Sequence, residues 1–412
     1  MTDKKVRKVF IGCTDIASLI HDFTVGFKAN GVDVFSMVFE RAPIQWGQCD
    51  VELGALAPAP SPDASPTEFS AWQQHRAALL QAVWDRAVDE CDTFLFIWNS
   101  FLDDYSDIIE LKRRGKRIVW WFMGSDCRWK AAYDQDVARY GIAPLHYDAT
   151  LTEADLLPRL LRLRTAEAFA DVVVNTPSQC SMALRPYLDG LHSPVDITRY
   201  PHVPEQRERP VLLHAPSSTE KKGTGEILAV FDELRAEGLS FDVQLLDRLP
   251  HEQALEVYGQ VDVLVGQLGA LALGKQDREL MACGKVVVGG PTSETYPQHW
   301  PASCPAVPAM RVDELRTALR ELIPDVARRR ELASRGRAHI IDRHDPKRTV
   351  GRLLEAIEGQ RTADFVPDFF RHHFVPESPE FTELHNLGIT LTREASWYRQ
   401  YIAPGMRDGL LF

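Results

Sequence analysis

The sequence has no C-x-x-C pair. Its seven cysteines (Cys13, Cys49, Cys91, Cys127, Cys180, Cys283 and Cys304) are scattered along 412 residues. That scatter argues against a structural zinc site and against a disulfide scaffold. The thiols read as free thiols of a reducing compartment, so a cytoplasmic protein is expected. No apolar run approaches the roughly 20 residues needed to span a bilayer. The basic start, MTDKKVRKVFIGC, runs straight into a strand-like stretch and does not read as a signal peptide. Positive charge is in deficit: 47 Lys and Arg face 58 Asp and Glu, for a formal net charge of −11. Nucleic acid, which needs a basic footprint, is therefore not an expected partner. No G-x-G-x-x-G follows the first strand, where the turn reads GCTDIA, and this argues against a dinucleotide-dependent oxidoreductase. The 13 histidines are mostly isolated and form no metal-ligand pattern, so no metal is expected.

What is present suffices for more than one core. Single cores rarely grow past roughly 250–300 residues, so this length suggests two or three domains. The 45% hydrophobic and 25% charged residues are ordinary for a globular protein. Strand and helix patterns alternate. Val6–Gly12 reads as a strand, and Ile16, Leu19, Ile20, Phe23 and Phe27 then recur at helical spacing. Gly31 stops that helix, and Val32–Phe39 reads as a second strand. The Pro-rich segment 57–66, APAPSPDASP, reads as a surface loop, and a long helical pattern opens at Thr67. Further strands are expected at 93–98, 117–122 and 171–175. Leu191–Pro204, with three prolines and no periodicity, reads as a linker. Alternation then restarts, with strands at 211–215, 241–246, 261–265 and 286–289.

This pattern implies an α/β protein with two Rossmann-like domains whose parallel sheets face each other across a cleft. The expected divisions are 1–195, 205–360 and a C-terminal tail, 361–412, packing back on the N-terminal domain. Two stretches carry chemistry. VLLHAPSSTEKKGT, residues 211–224, ends a strand in a Ser-rich loop before Lys222-Gly223-Thr224 opens a helix. A helix N-terminus favours anions, glycine lets backbone approach a ligand, and lysine adds a point charge for phosphate. QLGALALGKQDRELMACGKVVVGG, residues 267–290, leads a glycine-containing loop into a helix near Lys275. Glu279, one turn in, is placed to accept hydrogen bonds from a ribose diol.

In order and spacing these stretches resemble the retaining GT-B glycosyltransferases of the family-four type. HAPSSTEKKG is similar to that family's H-A-P-S…K-G segment, and ELMACGKVV to its E-A-M-A-x-G-x-P-V helix. SPVDITRY, DVVVNTPS and MGSDCR resemble its N-P-V-D…F junction, its D-x-V-x-x-S/T-P strand end and its H-G-S-D-x-R loop. The resemblance runs from about residue 6 to residue 355. It implies a GT-B fold and a transferase moving a hexose-like unit from a UDP- or GDP-linked sugar to a small-molecule or glycan acceptor. It implies neither a metal nor a further cofactor.

By the resemblance, Lys222 contacts the donor diphosphate and Glu279 the ribose. Ser217, Ser218 and Gly223 line the phosphate pocket, and Gly274, Lys275 and Gln276 supply loop N–H groups. Arg248 and Leu249 lie near the base. Gly12, Thr14, Asp15 and Asp126 face the cleft and the acceptor, and Asp15 and Asp126 are the catalytic candidates. His21, read from its place on the first helix near the cleft mouth and not from the resemblance, is either a residue that orients the acceptor or a partly exposed helix histidine. The departures are specific. The family's first carboxylate, eight residues before Glu279, is here Leu271, Met123 stands where histidine is usual, and serines replace the phosphate arginine. They leave a sugar-nucleotide epimerase and a catalytically degenerate nucleotide-sugar binder as alternatives.

Overall fold

The computed structural model describes residues 5–42, 45–128, 138, 153–179, 182–216, 219, 222–246, 249–291 and 304–365. The chain forms two compact units. Among the described residues, the first unit holds 5–128, 153–191 and 346–365, and the second is built on 192–345. The first begins with β1 (Lys8–Cys13), α1 (Leu19–Ala29), β2 (Asp33–Val38), β3 (Val51–Glu52), α2 (Leu53–Leu56) and α3 (Pro66–Glu90). It continues with β4 (Thr93–Ile97), α4 (Ser106–Arg113), β5 (Arg117–Trp121), α5 (Glu153–Phe169) and β6 (Val172–Val174). The second contains β7 (Val211–His214), α6 (Thr224–Ala236), β8 (Asp242–Leu245), α7 (His251–Gln260) and β9 (Val263–Val265). There follow α8 (Lys275–Ala282), β10 (Val286–Val288), α9 (Val312–Leu322) and α10 (Val326–Arg343). The closing helix, α11 (Pro346–Ile357), returns to the first unit.

Both sheets are parallel, as expected from the alternation. The first has strand order β3-β2-β1-β4-β5-β6 and the second β10-β9-β7-β8. Their central strands read as unbroken apolar runs because helices cover both faces. β4, TFLFI, is buried at every position, and so are β9, VLV, and β10, VVV. The Pro-rich segment ends where the sequence provides a helix start. Ser65 Oγ accepts from the Glu68 N–H at 3.3 Å, Glu68 Oε2 accepts from the Ser65 N–H at 2.8 Å, and Pro66 occupies the first turn of α3. This reciprocal pair satisfies amides that the helix itself leaves open.

One boundary differs from the sequence reading, which carried the second domain to residue 360. The second unit ends at Asp345, because α11 packs along α1. Gly26 makes that approach possible. A Cβ there would lie 2.5 Å from the Pro346 carbonyl oxygen and 2.5 Å from Val350 Cγ2. Val350, Leu353 and Ile357 then join Phe23 and Phe27 in the first core. The start of the tail also belongs here. Phe365 bridges to Tyr187 in antiparallel fashion, their rings 5.0 Å apart, and Arg361 donates to the Asp189 carbonyl at 3.2 Å. The rest of the tail, 366–412, lies outside the described residues.

Strand order reverses direction at β1/β4 in the first sheet and at β7/β9 in the second. In open parallel sheets, ligands bind beyond the carboxyl ends of the strands at such switch points. Each unit therefore has one place where a site is expected.

Candidate functional site

In the second unit, the switch point is bridged by His214, the last residue of β7. Its ring is 2% exposed, with Nδ1 2.9 Å from the Val265 carbonyl at the end of β9 and Nε2 2.9 Å from Thr224 Oγ1. A carbonyl can only accept, so Nδ1 carries the proton and Nε2 accepts from the Thr224 hydroxyl. Burial pushes the His214 pKa down, which keeps the ring neutral in this role. The histidine of the H-A-P-S segment thus sets the start of α6 against the sheet.

Gly223 is the N-cap of α6, with φ 68° and ψ 36°, a left-handed conformation that a side chain would strain. No side chain caps this helix end. Lys222 precedes it, and its carbonyl accepts from the Leu268 N–H at 3.4 Å. Burial pulls the Lys222 ammonium below its ordinary pKa, and the charge of Asp277 opposes the shift. A partly desolvated ammonium beside open helix amides is suited to an anionic oxygen.

The second helix start is that of α8. Gly274 is its N-cap in extended conformation, and its N–H donates to Asp277 Oδ2 at 2.6 Å. Lys275 Nζ donates to the Pro194 carbonyl at 3.3 Å, so its ammonium is engaged by the linker. Gln276 Nε2 donates to the Tyr258 hydroxyl at 3.3 Å. Glu279 is 4% exposed; Tyr200 donates to its Oε1 at 3.0 Å and Tyr258 to its Oε2 at 3.4 Å. His251 Nε2 lies 3.4 Å from Oε1. Burial and the neighbouring Glu279 charge push the Tyr258 hydroxyl pKa up, which keeps it a donor. Leu271, where the resemblance puts a carboxylate, is 2% exposed, so that position belongs to the apolar interior. Leu249 is half-buried just before α7, whereas Ser217, Ser218 and Arg248 lie outside the described residues.

The first unit holds the remaining candidates. Gly12 is buried, and a Cβ on it would come within 2.9 Å of the Phe10 ring and 3.0 Å of the Met37 carbonyl, so packing requires a glycine there. Thr14 is half-buried just past β1. Asp15 is 2% exposed; its Oδ1 accepts from the Ile20 N–H at 3.2 Å, and Arg41 lies 3.6 Å from Oδ2. His21 is half-buried against Trp46, ring centroids 4.8 Å apart. Asp126 has no exposed surface and accepts from the Met123 N–H, at 3.1 and 3.0 Å, and the Gly124 N–H at 2.6 Å. Burial pushes its carboxyl pKa up, and these amides oppose the shift. The geometry of Asp126 is that of a residue holding the 123–128 loop.

Arg162, on α5, completes that loop. Its Nη1 donates to the Asp126 carbonyl at 2.7 Å and its Nε to Asn99 Oδ1 at 2.8 Å. Its guanidinium also lies 5.7 Å from the Trp98 ring centroid. Trp98 has φ 73°, and the Asn99 N–H bonds to the Ile97 carbonyl at 3.0 Å, which makes a strained γ-turn at the end of β4. Such strain costs roughly 1–3 kcal/mol and is held where surrounding structure imposes it.

Sequence reasoning missed Tyr200, Tyr258, Asp277, Arg162 and Trp98. Asp277 had a local signal, a carboxylate three residues after a helix N-cap glycine. Tyr200 sat inside SPVDITRY without a role. Nothing local pointed to Trp98 or Arg162. Among the described residues, no group of three His, Cys, Asp or Glu side chains is placed to hold a metal ion, and no helix is long and apolar enough to cross a membrane.

No family model matches the chain, and no curated protein matches it. Solved structures do. The sucrose-phosphate synthase of Thermosynechococcus elongatus superposes with a TM-score of 0.56 at 13% identity, covering 86% of this chain and 100% of that one. An alpha-glucosyltransferase in complex with UDP-glucose and DNA containing an abasic site gives 0.51 at 14% identity, covering 85% and 99%. HepE of Anabaena in complex with UDP gives 0.50 at 12% identity, again covering 85% and 99%. At these identities the likeness is one of architecture: the chain has the GT-B fold of these glycosyltransferases.

Proposed function

We propose that this chain is a glycosyltransferase. It takes a sugar from a UDP- or GDP-linked donor bound in the second unit and passes it to a small-molecule or glycan acceptor bound in the first. The observation that carries this reading is the pair of helix starts beyond β7 and β9. Lys222 and Gly223 open α6, Gly274 opens α8, and Asp277 acts electrostatically on Lys222. A diphosphate leaving group needs such a set of cationic and N–H donors to take up its developing charge. In this reading Lys222 meets the diphosphate, Ser217 and Ser218 line its pocket, and Glu279 meets the ribose. Transfer with retention, and without a metal, follows the same resemblance. The six described cysteines, all free thiols, support a cytoplasmic setting.

Titration calorimetry with UDP and GDP tests the donor site. One nucleotide binds the wild-type chain, and its binding is weakened about tenfold or more in Lys222→Ala and in Glu279→Ala. Unchanged binding in both variants would remove the assignment. The apolar burial of Leu271 favours one second reading, a nucleotide-sugar binder without transferase activity. That protein binds the donor yet neither transfers nor hydrolyses it. An NMR time course with donor alone separates both from an epimerase, which converts the sugar without acceptor.

A further inference from the structure

We propose that Trp98 is the platform on which the acceptor binds, and that the acceptor presents a saccharide ring. The proposal rests on the transferase reading for the word acceptor, but its evidence lies wholly within the first unit. Trp98 stands just past the end of β4, where β4 and β1 pair as far as Ile97 and Cys13. That pair is the switch point of the sheet, the place where a ligand is expected. The γ-turn takes Trp98 out of the strand and brings the Asn99 carbonyl back to the Cys13 N–H, at 3.4 Å.

A buried aromatic normally satisfies its polar handle. Trp98 is half-buried, and its indole N–H has no partner among the described residues. The same holds for the Asn99 amide N–H groups, next in the chain, and for the Thr14 hydroxyl, one residue past the paired end of β1; both residues are half-buried. Asn99 Oδ1 is held by Arg162, which also lies over the Trp98 ring, so platform and amide are fixed by one guanidinium. An aromatic ring at this switch point, with three unpartnered polar groups on it and on the adjoining ends of β1 and β4, matches a hydroxylated ring. Its C–H face packs on the indole, and its hydroxyls accept from Trp98 and Asn99. A bare aromatic ligand would leave those donors unmet, and a cation would be repelled by Arg162.

The test is saturation-transfer NMR on the full chain with methyl glucoside, methyl galactoside and methyl mannoside. Phenol serves as the planar probe, and UDP binding is measured in parallel. At least one methyl glycoside binds the wild type through one ring face. Trp98→Ala weakens it about tenfold, as expected for loss of an aromatic contact and its hydrogen bond. Trp98→Phe, which keeps a ring but loses the N–H, and Asn99→Ala give smaller losses. The proposal is overturned if phenol alone binds or if no glycoside binds. It is equally overturned if glycoside affinity is unchanged in Trp98→Ala. Should Trp98→Ala fail to fold, unchanged affinity in both Trp98→Phe and Asn99→Ala overturns it. Glycoside binding without UDP binding would remove the transferase reading and leave the saccharide site standing. UDP binding without glycoside binding would do the reverse.

Discussion

The hydroxyl of Tyr200 donates to Glu279 Oε1 at 3.0 Å, across 79 positions of sequence. Tyr258 donates to the other oxygen, so each oxygen already accepts one hydrogen bond and a ribose diol would share this carboxylate with the tyrosine hydroxyls. Tyr200→Phe should therefore lower stability by about 1 kcal/mol, the net value of one such bond, while UDP binding is kept or tightened. Glu279→Ala should lower stability by roughly 1–3 kcal/mol, because it leaves two buried hydroxyls without their acceptor. Urea unfolding beside calorimetry measures both. Loss of UDP binding in Tyr200→Phe with stability intact would make the tyrosine, and not the glutamate, the ligand.

The two lysines near the helix starts should behave differently. Lys222 is half-buried just before the N-cap of α6, whereas Lys275 already donates to the Pro194 carbonyl. Lys222→Ala should weaken UDP about tenfold or more, the range of a hydrogen bond to a charged group. Lys275→Ala should change UDP affinity little and cost about 1 kcal/mol of stability. The opposite ranking by calorimetry would move the phosphate contact to α8.

Asp126 accepts three backbone contacts with no exposed surface. Asp126→Asn turns one acceptor oxygen into an N–H donor facing amide N–H groups. A stability loss of roughly 1–3 kcal/mol is expected in urea unfolding. A variant of unchanged stability but lost transferase activity would instead place the carboxylate in the chemistry.

Asp107 sets a pH dependence near neutrality. Ser100 donates to its Oδ1 at 3.1 Å and the Phe101 N–H to its Oδ2 at 2.8 Å, yet burial pushes its pKa up to about 7. An unfolded aspartate has a pKa of about 3.9. Between those values the native state binds more protons than the unfolded state. Its contribution to stability is therefore full below the unfolded value and lost as pH rises through 7. Asp107→Asn removes the titration, so its stability relative to wild type should rise between about pH 4 and about pH 7. A pH-independent difference in urea unfolding would show that Asp107 stays charged in the native state.

Much of the fold was legible in the sequence. Unbroken apolar runs such as TFLFI and VVV mark strands buried on both faces, and Gly31 ends a helix where expected. The turn at Lys222-Gly223 and the helix holding Glu279 were legible for the same reason, since each is a local pattern of a few residues. The partners of those residues were not. Tyr200 and Tyr258 reach Glu279 only because the linker and α7 fold onto α8. The site in the first unit was the least legible, because the γ-turn at Trp98 opposes the intrinsic preference of a bulky residue and is held by Arg162 from α5.

Sequence by itself determined that this protein is two parallel α/β units, with helices that open at Thr224 and Lys275 after glycine-containing turns. Strand periodicity, glycine stops and helix caps act between near neighbours, and near neighbours are all a sequence displays. Only the tertiary structure decided that α11 leaves the second unit for the first. There the absent side chain of Gly26 allows Pro346 and Val350 to pack closer than any Cβ would permit. It also decided which buried groups meet, because those contacts depend on close packing between segments far apart in the chain.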